Sequence, residues 1–169
     1  MEIRNYKPTM RYRPFGAKTD VLVSMLGIGA MRLPMNEGQI DDARAIDLIE
    51  TGLDGGINYI DTAYVYNDGE SERVVGCALN NGWRDKVYVA TKMPVWELEK
   101  PGDQAARFET QLARLQAPRV DFYLLHALNK RYWKNVLKSD SLAWLDEEKR
   151  RGRIRFAGFS FHDDFDVFK

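Results

Sequence analysis

The sequence has 169 residues, with 25 basic and 25 acidic side chains and therefore a formal net charge of zero. This length fits one domain and excludes a large multidomain enzyme, and the balanced charge shows no nucleic-acid footprint. Hydrophobic residues make up 44% of the chain, which is enough for a core, so intrinsic disorder is not expected.

Short apolar runs alternate with helical patterns along the chain. In chain order they predict a small leading hairpin at 10–16, a strand at 21–29, a helix that begins after Asp41 and stops at Gly55-Gly56, a strand at 57–61, a helix at 71–79, a strand at 87–92, a helix around Phe108–Leu115 that ends before Pro118, a strand at 120–126, a helix at 142–151 and a strand at 154–160.

This alternation predicts an α/β fold, built from right-handed βαβ units around a parallel sheet. Two arrangements stay open, because periodicity does not separate them. One is a complete doubly wound domain. The other is the first five βα units of a (β/α)8 barrel of the TIM type, which would make residues 1–169 a single, partial barrel domain preceded by the leading hairpin.

Polar side chains stand at the carboxyl ends of the predicted strands. Asp61, Lys92, His126 and Ser160 each end a strand, and Tyr66 follows Asp61 by five residues. Each residue alone has an ordinary structural explanation, such as a turn, a surface or a packing position. Because strand carboxyl ends face the active site in both candidate folds, we expect the five side chains to converge.

A carbonyl-protonating site is the chemistry that these residue types favour. A free phenol is a weak acid at neutral pH, with a pKa of about 10, and a neighbouring ammonium group would stabilise the phenolate of Tyr66. Asp61 would keep Lys92 charged and oriented once the lysine is removed from water, and His126 would orient a substrate carbonyl. No Ser or Cys stands beside an obvious base, and the two histidines lack the spacing of a metal site.

Several segments resemble, in order and spacing, the signatures of the aldo/keto reductase family. They are 61–66 (DTAYVY), 90–92 (ATK), 122–126 (FYLLH) and 158–160 (GFS), with 26–34 (LGIGAMRLP) similar to the loop after the first strand of that family. The resemblance runs from about residue 10 to 163. It implies a (β/α)8 barrel that reduces aldehydes and ketones with NADPH, or sometimes NADH.

The resemblance also implies a role for each site residue. Tyr66 would be the general acid, Lys92 and Asp61 would tune it, and His126 would orient the carbonyl of a small-molecule substrate. The hydride would come from the nicotinamide, since no side chain supplies one.

The same resemblance implies a cofactor seat. Ser160 would hydrogen-bond the nicotinamide carboxamide, Gly29, Ala30 and Met31 would lie along the cofactor, and Asp61 would border it. Many members of the family have Asn after the GFS segment where this chain has Phe161. The second carboxamide contact is therefore not implied here.

Further expectations concern partners and location. A single cysteine, Cys77, excludes an intrachain disulfide, and no stretch of about 18 apolar residues or signal-peptide core is present. We therefore expect a cytoplasmic protein without membrane or nucleic-acid partners. A partial barrel would leave open sheet edges, so we expect a fragment or a chain that self-associates to cover them, with weak cofactor binding on its own.

Two alternatives to an enzyme remain. One is a truncated, non-catalytic aldo/keto reductase-like domain that serves as a binding or regulatory module. The other is a doubly wound nucleotide-binding domain, which the absence of a GxGxxG or P-loop motif disfavours.

Overall fold

The computed structural model describes residues 1–17 and 19–169. The strands in this part of the chain are β1 (Glu2–Ile3), β2 (Tyr12–Pro14), β3 (Val21–Ser24), β4 (Ile28–Gly29), β5 (Met35–Asn36), β6 (Gln39–Ile40), β7 (Tyr59–Asp61), β8 (Tyr88–Met93), β9 (Val120–Leu128) and β10 (Ile154–Phe161). The α-helices are α1 (Asp42–Asp54), α2 (Glu70–Asn80), α3 (Asp103–Leu115), α4 (Lys130–Lys138), α5 (Ser141–Arg150) and α6 (Phe165–Phe168).

The main sheet is parallel and has five strands in the order β10-β9-β8-β7-β4. Each strand therefore pairs with the next main-sheet strand along the chain. A doubly wound domain would instead reverse its strand order at a switch point. The sequential order is that of a (β/α)8 barrel, which confirms the barrel-type prediction and rejects the doubly wound alternative.

The predicted strand 21–29 is wrong, because two separate strands occupy it. β3 belongs to a small sheet with β1 and β2, whereas β4 is the edge of the main sheet. Between them Ser24 donates its hydroxyl to the Leu26 carbonyl at 2.6 Å, and the Ser24 amide donates to the Asn58 side chain at 2.8 Å. These bonds turn the chain and leave the Met25 and Leu26 side chains exposed.

The leading hairpin also differs from the prediction. β2 pairs antiparallel with β3, with Tyr12 opposite Ser24 and Pro14 opposite Leu22. The second arm of the hairpin is therefore β3 at Val21–Ser24, and the predicted arm at 15–16 is wrong. The small sheet lies against the main sheet near the amino-terminal ends of its strands, where Phe15 packs against Tyr59 and Phe122.

The core lies between the main sheet and the helices. Side chains that are fully or almost fully buried include Ile49 and Leu53 of α1, Leu79 of α2, and Phe108 and Leu115 of α3. Burying a side chain of this size stabilises the fold by about 1.5–3 kcal/mol. The other face of the main sheet buries aromatic side chains near the amino-terminal ends of the strands. Polar side chains are therefore left to the opposite edge, at the carboxyl ends of the strands.

Helices α2 and α3 approach closely at Gly76. A β-carbon at this position would lie 2.5 Å from the Arg114 carbonyl oxygen and 2.8 Å from the Leu115 carbonyl carbon. These are backbone atoms, so they cannot move aside as a flexible side chain would. The absence of a side chain at Gly76 thus sets the spacing of the two helices.

We therefore expect Gly76→Ala to destabilise the fold by about 1–3 kcal/mol, although alanine favours a helix over glycine by about 1 kcal/mol. Chemical denaturation measures this change in the free energy of unfolding. Gly27→Ala is the matched control, because a β-carbon there would be 3.5 Å or more from its neighbours. Equal stabilities for the two variants would contradict the close approach of the helices.

Candidate active site

The register of the parallel strands collects the predicted site residues on one face. Asp61 pairs with Ala90, and Lys92, two residues further along β8, pairs with Leu124 of β9. Because side chains alternate between the two faces of a strand, Lys92 and His126 point to the same side as the buried Ala90 and Phe122. The polar residues thus lie above an aromatic layer on the inner side of the sheet.

Lys92 is the centre of this arrangement. Its side chain is only 7% exposed, and its Nζ lies 2.5 Å from Asp61 Oδ1, 2.7 Å from the Thr62 carbonyl oxygen and 3.2 Å from the Tyr66 hydroxyl. A buried ammonium group is costly unless it is paired and hydrogen-bonded. Asp61 and Thr62 supply that pairing, and they direct the remaining donor of Lys92 at Tyr66.

Tyr66 stands at the start of a tight 3-10 turn. Asn67 and Asp68 follow with φ angles of 50° and 55°, and Gly69 with 92°. Such left-handed conformations are unfavourable for residues other than glycine, and they cluster at functional sites. The turn leads directly into α2 and places the Tyr66 ring 4.7 Å from Lys92 Nζ, measured to the ring centroid.

His126 lies between aromatic side chains, one of which is Tyr66. Its ring centroid is 5.8 Å from that of Tyr66, in an edge-on arrangement, and 5.2 Å from that of Trp96. Burial lowers the pKa of His126 to about 4, and the positive charge of Lys92 and the nearby His162 add to this effect. The imidazole is therefore neutral at neutral pH, and its buried Nδ1 has no hydrogen-bond partner among the described residues.

Ser160 lies near His126, because its side chain contacts the backbone of the next residue, Ala127. The sequence did not indicate this contact. Its hydroxyl oxygen accepts a hydrogen bond of 2.8 Å from the Ala127 amide. Ala127 has a φ angle of 52°, and the pairing of β10 with β9 shifts register between Phe159 and Phe161. Ser160 thus holds an irregular turn of the strand immediately after His126, and its own proton can still be donated to a ligand.

The three residues predicted along the cofactor differ in accessibility. Gly29 pairs with Asp61 in the sheet, and a β-carbon at Gly29 would have nothing within 4 Å. Met31 is 55% exposed, whereas the Ala30 side chain is fully buried and its carbonyl accepts a hydrogen bond from Ser71. Gly29 and Met31 therefore border open space beside Asp61, and Ala30 lies beneath them.

Within residues 1–17 and 19–169, no helix has the length and apolarity that crossing a membrane requires, and no group of three or more His, Cys, Asp and Glu side chains is arranged to hold a metal ion.

Comparison with known proteins identifies the family. The profile of the aldo/keto reductase family matches residues 25–168, so the chain belongs to this family. It is 34% identical to the NADH-specific methylglyoxal reductase of Escherichia coli, over 88% of this chain and 51% of that protein.

Solved structures of the family show the same fold. A thermostable aldo-keto reductase in complex with the inhibitor epalrestat aligns with a TM-score of 0.78 and 28% identity, over 94% of this chain and 56% of that one. An aldo/keto reductase from Klebsiella pneumoniae in complex with NADP and acetate aligns with a TM-score of 0.72 and 27% identity, over 87% and 48%. The chain thus spans about half the length of these relatives.

The buried position of His126 generates a pH prediction. We expect its ring protons to titrate in NMR spectra with a midpoint near pH 4, well below the value of about 6.5 for a free histidine. Between pH 6.5 and 4 the unfolded chain binds a proton at this residue and the folded chain does not. Stability is therefore lost as the pH falls through this window.

His126→Gln assigns the NMR signal and serves as the control for stability. Between pH 6.5 and 4 this variant should lose less unfolding free energy than the wild type, since it has no proton to bind at this position. A titration midpoint above pH 6 would contradict the burial of the imidazole.

Proposed function

We propose that this chain carries the carbonyl-protonating site of an NAD(P)H-dependent reductase of aldehydes and ketones, with Tyr66 as the general acid. The observation that supports this most is the placement of Lys92 Nζ, 2.5 Å from Asp61 and 3.2 Å from the Tyr66 hydroxyl. An ammonium group fixed beside a phenol stabilises the phenolate that remains after proton transfer.

Reduction of a carbonyl needs a hydride at carbon and a proton at oxygen. A bound nicotinamide cofactor supplies the hydride. Tyr66 donates its hydroxyl proton to the carbonyl oxygen, and Lys92 stabilises the negative charge that this leaves on the phenol oxygen. Asp61 keeps Lys92 charged throughout. The neutral imidazole of His126, beside the Tyr66 ring, donates a hydrogen bond to the same carbonyl oxygen and orients it.

The residues around the site fit a nicotinamide group. The hydroxyl of Ser160 uses an oxygen lone pair for Ala127, so its proton is available to a carboxamide oxygen. Gly29 leaves room for close approach, Met31 offers an exposed apolar side chain, and Asp61 lies on the neighbouring strand. We propose that these residues hold the nicotinamide end of NADPH or NADH.

The proposed substrate is a small aldehyde or ketone. Its class rests on the family and on the E. coli relative, which is named as a methylglyoxal reductase. Methylglyoxal is therefore the first compound to assay, followed by larger aldehydes.

Tyr66→Phe tests the proposed acid. We expect this change to lower carbonyl-dependent oxidation of NADPH by about 10²–10⁴-fold, because it removes the proton and leaves the ring in place. The loss of absorbance of the reduced cofactor at saturating substrate measures the rate. Tyr88→Phe is the matched control. Tyr88 also lies on the main sheet, but at the amino-terminal end of β8, where its hydroxyl donates to the Glu2 carbonyl.

Undiminished turnover in Tyr66→Phe would rule out Tyr66 as the acid. Absence of turnover in the wild type, at every cofactor concentration and with every aldehyde tested, would instead favour the non-catalytic module.

A further inference from the structure

A cluster of hydrogen-bonded polar side chains lies behind β8, on the side of the sheet away from the candidate active site. Glu72 of α2, Thr91 of β8, Gln111 of α3 and Tyr123 of β9 are all fully buried. We call these four residues the outer polar cluster. Charged and polar groups rarely occupy such positions, where an apolar side chain would fill the space at a lower cost.

Gln111 joins the outer polar cluster to the backbone of the active-site lysine. Its Nε2 lies 3.1 Å from the Lys92 carbonyl oxygen, 2.7 Å from Glu72 Oε1 and 2.9 Å from Thr91 Oγ1. Its Oε1 accepts a hydrogen bond of 2.5 Å from the Tyr123 hydroxyl. Contacts to both the nitrogen and the oxygen thus fix the orientation of the Gln111 side-chain amide. Through its nitrogen, this amide holds the backbone of Lys92 at the end of β8.

Glu72 joins the same cluster to the loop that carries Tyr66. Its Oε2 accepts from Arg114 at 3.3 Å, and the same guanidinium nitrogen of Arg114 donates to the Tyr64 carbonyl at 3.0 Å. The guanidinium also covers the Tyr64 ring at 4.6 Å from its centroid. Burial raises the pKa of the Glu72 carboxyl, and the hydrogen bonds that it accepts oppose that rise.

We propose that Glu72, Gln111 and Arg114 are positioning residues, which hold the Lys92 and Tyr64 carbonyls so that Lys92 Nζ stays beside the Tyr66 hydroxyl. The catalytic consequence rests on the proposed function, whereas the positioning of the ammonium group does not. Two helices that do not contact the reacting atoms thereby act on the spacing of the acid and its charged neighbour.

The consequence follows from how steeply proton transfer depends on geometry. A displacement of about 1 Å in a reacting group lowers the rate by about 10²-fold. Lys92 is a long side chain, and its ammonium position depends on the backbone from which it extends. Loss of the Gln111 contact would remove a hydrogen bond of 3.1 Å from the Lys92 carbonyl, which also has a longer contact of 3.5 Å with the Tyr64 amide.

Gln111→Met tests the proposal against a matched control on the same helix. Methionine keeps the shape of glutamine and removes its hydrogen bonds. The control is Gln104→Met, because Gln104 is also buried on α3 and donates to Ser139 and Ser141 instead of to the active-site strand. Both changes remove buried hydrogen bonds, so both should lower the melting temperature.

The first readout is hydrogen exchange of the Lys92 ammonium group with water, followed by ¹⁵N NMR and assigned with Lys92→Met. We expect Gln111→Met to accelerate this exchange about tenfold through local opening and Gln104→Met to leave it as in the wild type. The second readout is steady-state reduction of methylglyoxal. There Gln111→Met should lower kcat about 10–100-fold, with KM within about twofold.

Unchanged ammonium exchange in Gln111→Met, or equal acceleration in both variants, would overturn the proposal. If Gln111→Met does not fold, Arg114→Met applies the same test at a partly exposed position, with the same expected acceleration. If Gln111→Met accelerates the ammonium exchange but the wild type reduces no carbonyl, the proposed function is refuted and the positioning role stands.

Discussion

The burial of one ammonium group is the constraint on which the rest of the site depends. Lys92 is 7% exposed at the end of β8, where an unpaired charge would be strongly destabilising. Asp61 and the Thr62 carbonyl satisfy two of its donors. The third then faces Tyr66, so the same contacts that make the buried lysine tolerable also direct its charge at the phenol.

Several features of the fold serve that geometry. The sequential parallel strands place Asp61 next to β8, and the left-handed turn after Tyr66 brings its hydroxyl back to within 3.2 Å of Lys92. The outer polar cluster supports the same strand from behind. The low pKa of His126 follows from burial and from the charge of Lys92, so the imidazole stays neutral beside a cation. Family membership accounts for the overall architecture, and these contacts support the proposed chemistry.

The sequence was sufficient for the placement of Lys92 and His126, because parallel strands have a fixed period and their carboxyl ends meet at one edge. It was not sufficient at 21–29, where an apolar run contains a turn made by side-chain hydrogen bonds. Helix α4 was missed although Tyr132, Val136 and Leu137 follow helical spacing, because the segment is short and basic and only Val136 is buried on it. The contacts of Gln111 with the active-site strand were not apparent from the sequence, because a glutamine on an amphipathic helix is usually exposed.

If Lys92 acts on carbonyl reduction through Tyr66, substitutions at the two residues have coupled effects, and a double-mutant cycle measures that coupling. Single-turnover oxidation of bound NADPH by methylglyoxal would be measured for the wild type, Lys92→Met, Tyr66→Phe and the double variant. If Lys92 acts through Tyr66, the losses are not additive, and the double variant is no slower than Tyr66→Phe within about threefold. Losses that multiply in the double variant would show independent roles and contradict the account.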